Sequence, residues 1–299
     1  MPEDQPEGIK PFKQLTIIGF GLIGSSLARG VRAAGLAEII YCADINQAVC
    51  DKALALNLAD MASTNIIEAV KNADMVLLTT PVGLMGEVVK SFASLLKPHT
   101  IITDAGSVKQ AVVDAVTPLL PYPEMFVPGH PIAGAEHSGP EHGRADLFQD
   151  RWVILTPKAW TDRDALARVK AMWQCCGAKI EEMTPEEHDR KLAITSHIPH
   201  LIAYTIVATA EDLGENMESE VLSYSAGGFR DFTRIAGSDP TMWRDIFLNN
   251  RPAVLEMLQR LTEDLTLLQR AIRWGDGDAL YDFFNRAQAI RRSIHQEKK

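Results

Sequence analysis

The chain has 299 residues, 46% hydrophobic and 23% charged, with a formal net charge of -9. That is the make-up of a globular protein of one large or two medium domains, and it argues against a nucleic-acid partner or a basic membrane-binding patch. It also requires that any anionic ligand be held by local Arg or Lys against the overall field.

Residues 1–12 read as a flexible tail. The β-branched run 15–18 reads as a strand that enters Gly19-Phe-Gly21-Leu22-Ile23-Gly24 and then a helical pattern through Leu27 and Val31. A second apolar run, 38–43, ends at Asp44, 20 residues past Gly24. Strands at 75–80 and 100–104 alternate with helices at 84–96 and 107–119, and a further strand ends near His130. These repeated strand-helix units imply a doubly wound parallel sheet, and strands at 152–156 and 179–183, around a helix from Asp162, are expected to complete the domain. From Pro185 the strand signals stop. A long helical run covers 191–213, and 242–248, 253–272 and 279–294 have helical spacing. The expected organisation is therefore a Rossmann-type dinucleotide-binding domain over 13–183 and an all-helical domain over 184–299. The apolar stripes of the last helices favour a homodimer. No apolar run reads as a membrane span, and the opening residues lack the basic start of a signal peptide. Cys42, Cys50, Cys175 and Cys176 have no Cys-x-x-Cys spacing and the histidines no convincing metal-ligand spacing, so a reduced, cytoplasmic protein without a metal is expected.

In an open parallel sheet the ligand lies beyond the carboxyl ends of the strands. Gly19 permits the tight turn, Gly21 lets the backbone approach a pyrophosphate, and Gly24 lets the helix pack on the strand, with Leu22 and Ile23 at the helix N-terminus. Asp44 suits the ribose hydroxyls of NAD and repels the extra phosphate of NADP. Thr80 and Pro81 end a strand beside the cofactor position, although a strand-terminating proline explains them equally. Ser107 sits at a strand-to-helix turn, where it reads as an N-cap with a hydroxyl also available to a ligand. Pro131 keeps His130 extended at the same edge, which suits a general base as well as a structural histidine. His197 and His200 share a helix face beside Pro199, which should bend the helix and free the Thr195 carbonyl. Arg230 and Arg234 offer carboxylate binding.

Taken together, Asp104-x-Gly-Ser107-Val-Lys, Gly129-His130-Pro131-x-x-Gly134, Glu187-His188-Asp189, Ser196-His197-x-Pro199-His200 and Phe229-Arg230-Asp231-x-Thr-Arg234-Ile-Ala resemble the prephenate/arogenate (cyclohexadienyl) dehydrogenase family. The resemblance implies an NAD-dependent oxidative decarboxylation of prephenate, arogenate or both in tyrosine biosynthesis, and a homodimer formed through the helical domains. It casts His130 as the catalytic histidine, with Ser107 supporting the substrate hydroxyl beside the cofactor. Arg234 resembles the arginine that grips a substrate carboxylate. His200, next to His197, resembles the histidine at the other end of the substrate, and Trp243 a pocket residue. Glu136, His188 and Asp189 look like supporting or gating residues, with Asp189 either paired to Arg234 or near the arogenate amine. Two other readings stay open. One is an oxidoreductase like the β-hydroxyacid dehydrogenases or imine reductases, although the Asn that should follow Lys191 is missing. The other is a non-catalytic NAD sensor.

Overall fold

The computed structural model describes residues 10–134, 139–216 and 226–296. It divides into two compact units, 1–251 and 252–299. The first unit opens with β1 (Phe12–Ile18), α1 (Leu22–Ala33), β2 (Ala37–Ala43), α2 (Gln47–Ala55), β3 (Met61–Ser63) and α3 (Ile66–Val70). It continues through β4 (Met75–Leu78), α4 (Met85–Phe92), β5 (Ile101–Asp104), α5 (Lys109–Val116) and β6 (Phe126–Val127). The six strands form one parallel sheet in the order β3-β2-β1-β4-β5-β6. Both faces are apolar. On β4, Met75 and Leu77 join the core on one side while Val76 and Leu78 join the core on the other, as a sheet covered by helices on both faces demands. β3 has only three residues and no readable period, so the sequence alone does not reveal it.

The parallel sheet ends at Val127, short of the His130 that the sequence reading placed at its edge. β7 (Gly129–Pro131), β8 (Trp152–Leu155) and β9 (Lys179–Glu182) form a separate three-stranded sheet, with β7 antiparallel to β8. Pro128 sits at the switch. It has no N–H to continue the ladder with β5, and its carbonyl accepts from Thr156 N at 2.9 Å in the second sheet. The expected strand ending near His130 is thus two short strands in two sheets. Helix α6 (Arg163–Gln174) joins β8 to β9.

The helical run that follows is not uniform. α7 (Pro185–Leu192) is closed at its start by a capping box between Thr184 and Glu187. A π turn, Ala193–His197, then leads into α8 (Ile198–Asn216). In that turn the Ile198 N–H reaches the Ala193 carbonyl five residues back. Pro199, which cannot donate to the carbonyl four residues before it, accounts for the departure from α register. By length and composition this combined helix is apolar enough to cross a membrane, contrary to the sequence expectation. Its first turns nevertheless carry buried His188, Asp189 and His197 bonded to neighbouring elements, as in the core helix of a globular protein. α9 (Gly227–Thr233), a 3-10 turn Arg234–Gly237 and α10 (Pro240–Asn249) complete this unit. The second unit holds α11 (Arg251–Trp274) from its second residue on and α12 (Gly277–Gln296), which carry exposed Leu265, Leu267, Ile272, Tyr281, Phe284 and Ile290.

Candidate active site

The loop between β1 and α1 could hold a phosphate group. Gly19 has φ of 86°, a left-handed value that a side chain resists, and a Cβ on Gly24 would lie 2.6 Å from the Gly19 carbonyl oxygen. A Cβ on Gly21 would meet nothing within 4 Å, so the outer face of the loop is open. Leu22 begins α1 with no side-chain cap, which leaves the first-turn N–H groups of Leu22, Ile23 and Gly24 for an anion. At the end of β2, Asp44 accepts from Phe20 N at 2.8 Å and Asn46 N at 3.0 Å, which fixes the carboxylate while leaving lone pairs on both oxygens. Ile45 beside it is 94% exposed, an apolar shelf that the sequence reading did not single out. Across the loop, the Thr80 hydroxyl is buried without a partner and its methyl lies beside Gly19, while Pro81 is exposed. Open loop, anchored acid and orphaned hydroxyl all fit a dinucleotide.

Ser107 lies part-buried in the loop from β5 to α5 and is not the N-cap. Val108 holds that position, and the helix is capped from a distance instead. The Asp189 carboxylate of α7 accepts from Lys109 N at 2.7 Å and Gln110 N at 2.9 Å. A carboxylate at this positive helix end is held by both hydrogen bonds and dipole. Asp189 is 4% exposed, so its role as described is interior.

From Asp189 a chain of rings runs to the sheet edge. Asp189 Oδ1 is 2.7 Å from His188 Nδ1, and His188 Nε2 is 2.8 Å from His130 Nδ1. The order of protons follows from the acceptor at one end. A carboxylate only accepts, so His188 Nδ1 donates to it. Burial disfavours the charged form of His188, so its Nε2 carries a lone pair and accepts from His130 Nδ1. The Nε2 of His130 is left unprotonated. Burial, then the neighbouring His188, Lys109 and His197, push the His130 pKa well below the usual imidazole range. This ring is therefore neutral and ready to take a proton.

Behind His130 lies a buried ion pair to which the sequence reading assigned no role. Lys109 and Asp104 are both fully buried and bonded through Nζ and Oδ2. Lys109 Nζ also donates to the Gly129 carbonyl at 2.7 Å, and Asp104 Oδ1 accepts from Gly129 N at 3.1 Å. The residue preceding His130 is thus gripped on both sides. The only sequence signal was a Lys five residues after an Asp that ends an apolar strand.

The remaining predicted residues divide into two places. Trp243 of α10 stacks on His200 with ring centroids 3.6 Å apart and meets His197 edge-on at 6.0 Å. His200 Nδ1 donates to the Ser196 carbonyl at 2.8 Å within the π turn. Arg234 stands exposed at the start of the 3-10 turn packed on α8, whose end is held by Tyr204 donating to the Ser238 carbonyl at 2.7 Å. Arg230 is exposed on α9. Glu136 lies outside the described residues.

A parallel sheet with an open glycine loop, an anchored acid after β2 and a neutral histidine beside its carboxyl edge defines a dinucleotide-binding oxidoreductase fold. Residues 27–182 match the prephenate dehydrogenase nucleotide-binding domain, and 184–286 the prephenate dehydrogenase dimerization domain. A cyclohexadienyl dehydrogenase of Zymomonas mobilis is 43% identical, over 95% of this chain and 96% of that protein. A prephenate dehydrogenase of Bacillus subtilis is 34% identical, over 95% of this chain and 77% of that protein. The prephenate dehydrogenase of Aquifex aeolicus, solved with hydroxyphenyl propionate and NAD+, superposes with a TM-score of 0.90 at 35% identity, covering 97% of this chain and all of that one. The chain belongs to the prephenate dehydrogenase family.

Proposed function

We propose that this protein oxidatively decarboxylates prephenate, arogenate or both with NAD, yielding 4-hydroxyphenylpyruvate or tyrosine. The observation that carries the mechanism is the proton-ordered chain from Asp189 through His188 to the bare Nε2 of His130. NAD, when bound, supplies the hydride acceptor. Gly19, Gly21, Leu22, Ile23, Gly24, Asp44, Thr80, Pro81 and Ser107 line the edge where it would be held. His130 accepts the proton of the substrate's ring hydroxyl, and the positive charge that develops on it is stabilised through His188 by the Asp189 carboxylate. Ser107 orients that hydroxyl. Arg234 grips a carboxylate, and His197, His200 and Trp243 border the opposite end of the substrate, with Glu136 supporting the site. Loss of hydride and proton leaves a dienone whose ring carboxylate departs as carbon dioxide. The electron pair it leaves makes the ring an aromatic phenolate, which takes back the proton held on His130, and aromatisation drives the step. Bringing hydroxyl, acceptor and base into register is the main catalytic demand.

Purified protein should reduce NAD with prephenate or arogenate, followed by nicotinamide absorbance, and reduce NADP far less well because of Asp44. Silence with both substrates in protein that binds NAD would sink the assignment. The exposed apolar faces of α11 and α12, together with the dimerization-domain match, support a homodimer. Sedimentation is expected at twice the chain mass; a monomer at micromolar concentration overturns that part. The four cysteines, all free, support a reducing, cytoplasmic setting.

A further inference from the structure

We propose that Asn250, at the end of α10, is a positioning residue that holds His197 as its neutral Nε2–H tautomer beside the His130–His188 pair. Asn250 is 3% exposed, and its Nδ2 lies 2.9 Å from the Asp189 carbonyl oxygen and 3.1 Å from His197 Nδ1. The carbonyl decides which way the amide faces. It can only accept, so the amide group against it must be the NH2. The second N–H of that group then meets His197 Nδ1, which must offer a lone pair. The ring proton sits on Nε2, and protonating Nδ1 would set two donors against each other at about hydrogen-bond distance.

The surroundings of His197 explain why its charge matters. Asp189 favours the charged ring, whereas His188 of α7 and His200 of α8 oppose it, and Trp243 of α10 presents an aromatic partner. Burial is the largest influence and pushes His197 down to about 4. His130 in turn senses His197: a charge there disfavours a proton on His130. The catalytic base must accept a proton from the substrate, so a cationic His197 would weaken it. Asn250 adds a specific hydrogen bond to the general effect of burial, and it ties α10 to the same carbonyl-bearing residue that caps α5.

The functional part rests on His130 as the base; the tautomer does not, and the experiment separates them. Nitrogen-15 spectra of the histidine-labelled wild-type enzyme, with His197 assigned by comparison with His197→Gln, should show an unprotonated Nδ1 that persists from pH 8 to about pH 5. An Nδ1–H tautomer, or titration near 6.5, overturns the proposal whatever the enzyme turns over. In Asn250→Ala the opposing N–H is gone while burial remains, so His197 should titrate at a higher pH than in the wild-type enzyme. If only the neutral ring is productive, the loss of kcat/KM relative to wild type should be greater at pH 5 than at pH 8. A uniform loss at both pH values would show Asn250 to be structural only and would overturn the positioning role. If the variant does not fold, the wild-type spectrum decides.

Discussion

Replacing His130 by Asn is expected to lower kcat by about 10²- to 10⁴-fold, the usual worth of a positioned general base. The Kd for NAD should stay near the parent value, because His130 lies on β7 and not on the glycine loop between β1 and α1. Stopped-flow kinetics with titration of cofactor binding separates the two quantities. The pH profile adds a second check on the same residue. Only neutral His130 can accept the substrate proton, so kcat/KM falls as pH drops through its pKa. Burial and the neighbours His188, Lys109 and His197 push that pKa well below the usual imidazole range. The acid limb attributable to His130 should therefore lie below about 6.5, the reference value for an exposed histidine. A limb at or above that value, or a His130→Asn enzyme with parental kcat, would show that the base is elsewhere.

Replacing Lys109 by Met should cost about 3–5 kcal/mol of stability, because it strands the buried Asp104 carboxylate without its partner. Urea unfolding followed by circular dichroism measures this directly. The double variant Asp104→Asn/Lys109→Met should recover part of the loss, since it removes the isolated charge, but not all of it, because the amide oxygen can accept from only one of the Gly106 and Gly129 N–H groups that the two carboxylate oxygens serve. Burial works against the charged form of Lys109, while the charges of Asp104 and Asp189 hold it up, so the pair survives as a unit rather than as two separate residues. The single variant should also lose kcat, because Lys109 Nζ fixes the carbonyl of Gly129 immediately before His130. A Lys109→Met protein as stable as wild type would show that the ion pair contributes nothing net.

These two residues differ in how far a linear reading can reach them. His130 announces itself through local restrictions: a proline after it, glycines around it, and an apolar strand before it. Lys109 does not. Its partners are Asp104 five residues back and Gly129 twenty residues on, and only the packing of β5 of one sheet against β7 of the other makes them neighbours. The same holds for Asp189, whose carboxylate caps a helix eighty residues earlier, and for Asn250, which joins two elements more than fifty residues away. Ser107 shows the converse. The local pattern of a serine before a helix predicts a cap, yet the helix begins two residues later and takes its cap from α7.

What the sequence by itself determined is therefore what short-range physics controls. That covers the alternation of apolar strands and helices, the glycine loop with its answering Asp44, the extended His130, and the helix disturbed by Pro199. Each depends on backbone freedom, side-chain period or a missing N–H within a few residues. Only the tertiary structure decided that the strands after Pro128 form a second sheet. It also decided that Asp189 faces α5 and His188, and that the proton order along Asp189, His188 and His130 leaves one nitrogen bare. Those outcomes depend on which donors and acceptors are brought within about 3 Å of one another once water is excluded, a geometry set by packing across the whole unit.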